Sequence, residues 1–217
     1  MIRAMTGPVT GPVTAAVVCQ AASLLLSYPD QAVRRHFPLV GKAVGGLPNG
    51  PTRSALQRFL DHAAGTPARE LAEHYVATFD RRRRCCLYLT WYADGDTHRR
   101  GPSLAELKAR YRRAGLELST GELPDYLPLM LEYAATADLS DGLALLQGYR
   151  PGLELLRLAL ADAGSPYGTV VKAVCSLLPG ASPQDRAAAL RLARSGPPQE
   201  TVGLDPFSVP LSGGSRR

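Results

Sequence analysis

The chain has 217 residues, 45% hydrophobic and 20% charged, which suits one folded domain with a sizeable core and excludes wholesale disorder. Its apolar residues include 33 Leu, 30 Ala and 13 Val but a single Ile; helix formers dominate and strand formers are scarce, so a large sheet is excluded. The net charge of +6 is concentrated: residues 81–113 hold ten Arg or Lys against Asp94, Asp96 and Glu106, a local +7, so the other 184 residues net −1.

In chain order, residues 1–13 carry a repeated Thr-Gly-Pro-Val and predict a flexible lead. The apolar run from Ala15 to Leu26 is too short and interrupted for a membrane span, and the repeat before it breaks any signal-peptide core, so it predicts a buried first helix. Helices are expected over about 14–27, 31–45, 52–64, 67–79, 85–93, 102–114, 124–137, 140–148, 151–163, 166–178 and 183–194. Pro67, Pro102, Pro151 and Pro166 sit near helix starts, where a missing N–H costs little. Ser182 ahead of Pro183 and Asp185 reads as an N-cap. No run of alternating residues argues for a strand. Residues 195–217, with eight Gly or Pro in 23 positions, predict an irregular tail. The expectation is an all-α, single-domain bundle of about nine to eleven helices over residues 14–194.

Three segments stand out. Tyr75 to Asp80 closes a helix and is followed by Arg81-Arg82-Arg83-Arg84, whose charge suits a negative helix C-terminus. On an α-helix these four would point in four directions and not share one ligand. Next, Cys85 to Tyr92 is the most apolar and aromatic stretch and contains the only Trp, Trp91; it predicts a core helix that can leave apolar surface at a rim. Third, in Glu122-Leu123-Pro124-Asp125-Tyr126-Leu127-Pro128, Pro128 removes the bond to the Pro124 carbonyl, so the helix is kinked or begins later. Leu127, Met130, Leu131 and Ala134 then share an apolar face, widened by Leu123 and Leu129 and bordered by Glu122, Asp125 and Glu132.

No catalytic signature is present: GxGxxG, P-loop, HExxH and GxSxG are all absent. Cys19, Cys85, Cys86 and Cys175 form no CxxC pair, and His36, His62, His74 and His98 are dispersed in sequence, so neither a disulfide framework nor a zinc site is indicated. A reducing cytoplasm is the expected compartment. Two other readings stay open from the residues: a helical nucleic-acid binder using the basic 81–113 segment, and a metal or redox protein using Cys85-Cys86.

Taken together, Leu25 to Asp30, Tyr75 to Asp80 with its arginines and the Gly95-Asp96 turn, Tyr111 to Leu118 and Glu122 to Tyr133 resemble the NarJ family, within the TorD-like redox enzyme maturation proteins. Pro166-Tyr167 and Val202 to Phe207 are similar to the family's end as well, while Tyr126 stands where many relatives have His. The resemblance implies a TorD-like helical fold and a cytoplasmic chaperone that is not an enzyme and carries no cofactor of its own. Its implied partner is the apo form of the nitrate reductase alpha subunit, bound partly through that subunit's N-terminal segment while molybdenum cofactor is inserted. Molybdenum cofactor biosynthesis proteins are further implied partners; nucleic acid and membrane insertion are not. On this resemblance the expected client-binding residues are Tyr75, Phe79, Trp91, Glu122, Leu123, Asp125, Leu127, Met130, Leu131 and Glu132, with Arg81, Arg82, Arg83 and Arg84 as a docking rim.

Overall fold

A computed structural model describes residues 11–95, 98–118 and 121–195. Within them lie twelve α-helices: α1 (Pro12–Leu26), α2 (Gln31–Arg34), α3 (Phe37–Gly45), α4 (Pro51–Gly65), α5 (Ala68–Tyr75), α6 (Thr90–Asp94), α7 (Arg100–Arg113), α8 (Leu127–Thr136), α9 (Leu139–Gly148), α10 (Arg150–Asp162), α11 (Tyr167–Cys175) and α12 (Arg186–Ser195). A π-turn (Val76–Asp80) follows α5 and a 3₁₀ turn (Arg83–Cys85) precedes α6. The architecture is all-α, as expected; the sole ladder contact among the described residues is an isolated antiparallel bridge between Tyr88 and Tyr126. The expected lead and tail lie outside the described residues, except that Gly11 precedes α1, Pro12 and Val13 open it and Ser195 closes α12.

α1 is the axis of the fold because its sequence is apolar on nearly every side. Ala15, Val18, Cys19, Ala21, Ala22, Leu25 and Leu26 are all buried, the pattern of a helix surrounded by others rather than one with a solvent face. It packs most extensively on α8 and also meets α11, α3 and α9, while α11 bridges to α4 and α10. Burial alone pushes the Cys19 thiol up to about 12, as expected for a structural cysteine. Tyr167 on α11 anchors an aromatic cluster: the Phe59, Phe79 and Tyr75 rings lie 4.7, 4.8 and 5.8 Å from it. His74 stacks on the same ring at 5.7 Å, and the structure brings His62 within 6.4 Å of His74, although the two are twelve positions apart in sequence.

Four expected elements differ. The 31–45 helix is two, because the chain turns at Arg35 and His36 ahead of Pro38 and restarts at Phe37. The 124–137 helix begins at Leu127 with Pro128 in its first turn, where proline's missing donor is harmless. The last helix starts at Arg186 rather than Pro183, because Asp185 and not Ser182 caps it: the Asp185 carboxylate accepts from Ala188 N at 2.7 Å, while Ser182 Oγ donates to Glu154 at 2.7 Å. The fourth, the 85–93 core helix, is replaced by the 3₁₀ turn, an extended stretch and the five-residue α6. Cys85, Leu87 and Leu89 are buried while Cys86 and Tyr88 between them are half-exposed, a two-residue alternation that belongs to extended chain.

α8 and α9 approach so closely that a Cβ on Gly142 would fall 2.4 Å from both Cα and Cβ of Ala134. Gly142→Ala is therefore expected to destabilise by about 1–3 kcal/mol through overpacking, despite alanine's better helix propensity. Differential scanning calorimetry checks this: the midpoint falls, and an unchanged or raised midpoint would contradict the close approach.

Candidate binding surface

The segment 121–126 is built as a clamped loop. Gly121 takes φ +111°, a conformation that disfavours side chains bearing a Cβ. Tyr126 N donates to Leu123 O at 3.1 Å, and the Glu122 carboxylate accepts from Leu123 N at 3.1 Å and from Tyr88 OH at 3.3 Å. The loop then pairs with the extended 86–89 stretch: Leu89 N donates to Asp125 O at 3.0 Å and Leu127 N to Leu87 O at 2.8 Å. Tyr111, from α7, donates its hydroxyl to Pro124 O at 2.7 Å.

Asp125 is fully buried. Its Oδ2 accepts from Thr90 Oγ1 at 2.5 Å and Thr90 N at 3.3 Å, while the Arg100 guanidinium lies 3.6 Å away and donates through Nε to Thr90 Oγ1 at 3.1 Å. One carboxylate thus fixes the loop, the first residue of α6 and the first residue of α7. It is a positioning residue, enclosed within the fold.

The surface over this clamp is a row of aromatic rings. Tyr28 packs edge-on to Tyr75 at 5.4 Å, the Tyr75 and Tyr126 hydroxyls are 2.9 Å apart, and Tyr88 packs on Tyr126 at 5.5 Å. Tyr75 is buried, its hydroxyl donating to Leu26 O at 3.1 Å; Tyr88 and Tyr126 are half-exposed. Tyr28 and Leu123 are open, at 47% and 37%. Burial first, then the Glu122 charge, pushes the Tyr88 phenol up to about 12, so it stays a neutral donor. At the Tyr28 end opens a cleft of about 520 Å³ lined by Arg69, Ala72, Glu73, Val76 and Arg81. At the Glu122 end opens another of about 370 Å³ lined by Lys108, Arg112, Leu116, Glu117, Leu118 and Gly121. The result is an aromatic strip with one exposed leucine and mixed charge at both ends, suited to an amphipathic peptide.

The expected binding residues divide on this geometry. Leu123 and Glu122 belong to the strip and Tyr75 underlies it. Leu127, Met130 and Leu131, each 0% exposed, face the core; the apolar face of α8 is real, but α1 already covers it. Phe79 is buried beside Tyr75 at 4.7 Å, Asp125 is internal, and Glu132 is exposed on α8, outside the strip. Trp91 is half-buried with the Arg83 guanidinium 5.0 Å over its ring. Residue patterns alone do not mark Tyr28, Tyr88 and Tyr126 as wall residues; what links them is the Tyr28–Tyr75 ring contact, the Tyr75–Tyr126 hydroxyl pair and the Tyr88–Tyr126 bridge, which join positions far apart in sequence.

The basic segment is not one surface. Arg100 points to Asp125, and Arg110 donates to Asp141 at 2.8 Å. Tyr133 donates to the other Asp141 oxygen, and these two partners hold that carboxyl below its ordinary range, Tyr133 contributing most. Among the described residues no group of three His, Cys, Asp or Glu is placed to hold a metal ion, and no helix is long and apolar enough to cross a membrane.

The family profile of the nitrate reductase delta subunit matches residues 48–172. The chain is 38% identical over 159 residues to the nitrate reductase-like protein NarX of Mycobacterium tuberculosis, covering 73% of this chain but only 24% of that longer protein. It is 33% identical over 162 residues to NarJ of Bacillus subtilis, covering 75% of this chain and 88% of that one. It is also 33% identical over 174 residues to the nitrate reductase molybdenum cofactor assembly chaperone NarJ of Escherichia coli, covering 76% and 71%. A solved structure from Archaeoglobus fulgidus, named for redox enzyme maturation, superposes with a TM-score of 0.56 at 17% identity, over 75% of this chain and 92% of that one; it shares the fold. With a family match over more than half its length and relatives at one-third identity over most of theirs, the chain belongs to the nitrate reductase delta subunit family, among its NarJ-like members.

Proposed function

We propose that this chain is an assembly chaperone of respiratory nitrate reductase. It binds the immature catalytic alpha subunit, partly through that subunit's N-terminal segment, and holds it open for molybdenum cofactor insertion before the complex assembles. It works in the cytoplasm as a binding protein, with no chemistry of its own. Membership of the delta subunit family supports the pathway, and the half-exposed Tyr28–Tyr126–Tyr88–Leu123 strip supports the mode of action. That strip is the observation that carries the reading. Binding only the immature conformer shifts its population by the difference in affinity between the two states. Glu73 and Glu122, at opposite ends of the strip, would meet basic residues of the client segment.

Isothermal calorimetry with a synthetic peptide of the alpha-subunit N-terminus tests this reading. Wild-type protein is expected to bind it, and Leu123→Asp to weaken binding by about 10- to 100-fold, the loss of one buried leucine anchor. Absence of heat with wild-type protein, or equal affinity in the variant, would overturn the assignment of the strip.

A further inference from the structure

Glu200 and Asp205 are the only charged residues between 196 and 215, so the stretch that follows α12 in the chain has a net charge of −2. α12 packs on α10. On α10, Ala159 and Asp162, with Ala163 just beyond, form one wall of a cleft of about 350 Å³ whose other wall is Arg82, Arg83, Arg84 and Cys85. The run of four arginines is divided because Arg83–Cys85 forms a 3₁₀ turn: Arg81 lines the cleft beside Tyr28 and the other three line this one. All four are exposed, and none pairs with a carboxylate among the described residues. Three arginines against the single acid Asp162 leave the cleft at +2.

We infer that the segment Glu200–Phe207 docks into the Arg82–Arg84 cleft of its own chain, with the Glu200 and Asp205 carboxylates on the guanidinium groups. The charges cancel, −2 against +2, and guanidinium forks bond carboxylates through two oxygens at a time. The reach is sufficient. α10 has 13 residues, about 20 Å, and packed helices lie about 8–10 Å apart. Asp205 stands ten residues beyond Ser195, about 33 Å of extended chain, so it reaches the cleft whichever end of α10 lies nearer Ser195. Leu204 and Phe207 flank the acid, and Ala159 and Ala163 offer a small apolar wall to one of them. The Arg83 guanidinium is already held over the Trp91 indole at 5.0 Å, so part of the ordering cost is met in advance. Prolines at 197, 198, 206 and 210 restrict the undocked segment, so less conformational entropy is lost on docking. Tethering gives a millimolar effective concentration; a segment whose free peptide binds with a Kd of only about 0.1 mM then occupies the cleft about 90% of the time.

Other occupants fit less well. A nucleic acid needs a continuing basic track, and the next candidates along the chain, Arg100 and Arg110, are turned inward to Asp125 and Asp141. A separate acidic protein offers the same carboxylates but loses translational freedom that a tethered segment does not. The cleft shares no lining residue with the client strip or with the clefts at its two ends, so the docking does not rest on the client reading.

Phe207 is the only aromatic residue between 196 and 217, so chymotrypsin cleavage after it, followed by mass spectrometry, reports whether the segment is docked. Where docking is fast relative to cleavage, the rate follows the undocked population. The full chain is expected to be cut about tenfold more slowly than a synthetic peptide of residues 196–217. Arg82→Glu/Arg84→Glu, with unchanged circular dichroism and melting midpoint, is expected to lose that protection. Glu200→Arg/Asp205→Arg, compared with the peptide of its own sequence, should lose it as well. Combining the two pairs should restore much of it, which neither local unfolding nor general repulsion produces. Wild-type protein cut as fast as the peptide, protection that persists in either pair, or a combined variant no better protected than the pairs would overturn the proposal. Protection that rises with protein concentration would place the segment on a second copy and overturn it too.

Discussion

Replacing Asp125 by alanine is expected to lower the melting midpoint by about 6–12 °C, from a loss of roughly 3 kcal/mol in a chain of this size. The carboxylate accepts the Thr90 hydroxyl and amide, both inside the structure, and stands opposite Arg100. Without it, the Thr90 amide at the start of α6 loses a buried acceptor, and a guanidinium loses its counter-charge. Arg100 is 26% exposed at its side chain, so water compensates part of the loss and keeps it at the low end for buried pairs. Asp125→Asn keeps the shape and one acceptor oxygen and should recover much of the midpoint. Because the carboxylate also fixes the 121–126 loop, the alanine variant should bind client peptide more weakly at temperatures where it is still folded. Calorimetric melting checks the first effect. A midpoint within about 2 °C of wild type, less than 1 kcal/mol, would show that the clamp contributes little.

The second large effect is at Glu154, fully buried on α10. Its carboxylate accepts from Arg157 Nε at 2.7 Å and Ser182 Oγ at 2.7 Å, and lies 3.5 Å from the Arg150 guanidinium. The two arginines then reach on to Gly180 O at 2.7 Å and Pro183 O at 2.6 Å. The network holds the 180–183 connection against α10 and so sets where α12 begins. Glu154→Ala strands Arg150, itself 3% exposed, as an uncompensated buried charge. Breaking such a pair costs about 3–5 kcal/mol, or about 6–20 °C in midpoint. The double variant Arg150→Leu/Glu154→Leu should melt higher than Glu154→Ala, because it removes the desolvation penalty together with the attraction. A double variant less stable than the single one would show that the pair is net stabilising.

The helical architecture was legible because it depends on local signals. Leu and Ala content, proline in first turns and the Pro128 argument placed most helices within a few residues. Misplacements came from contacts that sequence neighbours do not reveal. Ser182 has the chemistry of an N-cap, but a glutamate 28 positions away claims its hydroxyl and leaves the cap to Asp185. The Cys85–Leu89 alternation was present in the chain, yet apolar content suggested a helix; only pairing with the 121–126 loop makes the extended form pay. The binding surface was less legible still. An apolar helix face reads the same whether it meets solvent, a client or α1, and for Leu127, Met130 and Leu131 the answer is α1. Leu123 escapes that burial because it stands in the loop ahead of α8.

The proposed function makes a nitrate reductase alpha subunit depend on this chain for its molybdenum cofactor. It is tested most directly by purifying that subunit from a strain lacking the chain and measuring its molybdenum by mass spectrometry together with nitrate reductase activity. The expected result is an intact but molybdenum-poor, inactive alpha subunit, restored by the wild-type chain and only poorly by Leu123→Asp. An alpha subunit with full molybdenum and full activity in that strain would contradict the claim.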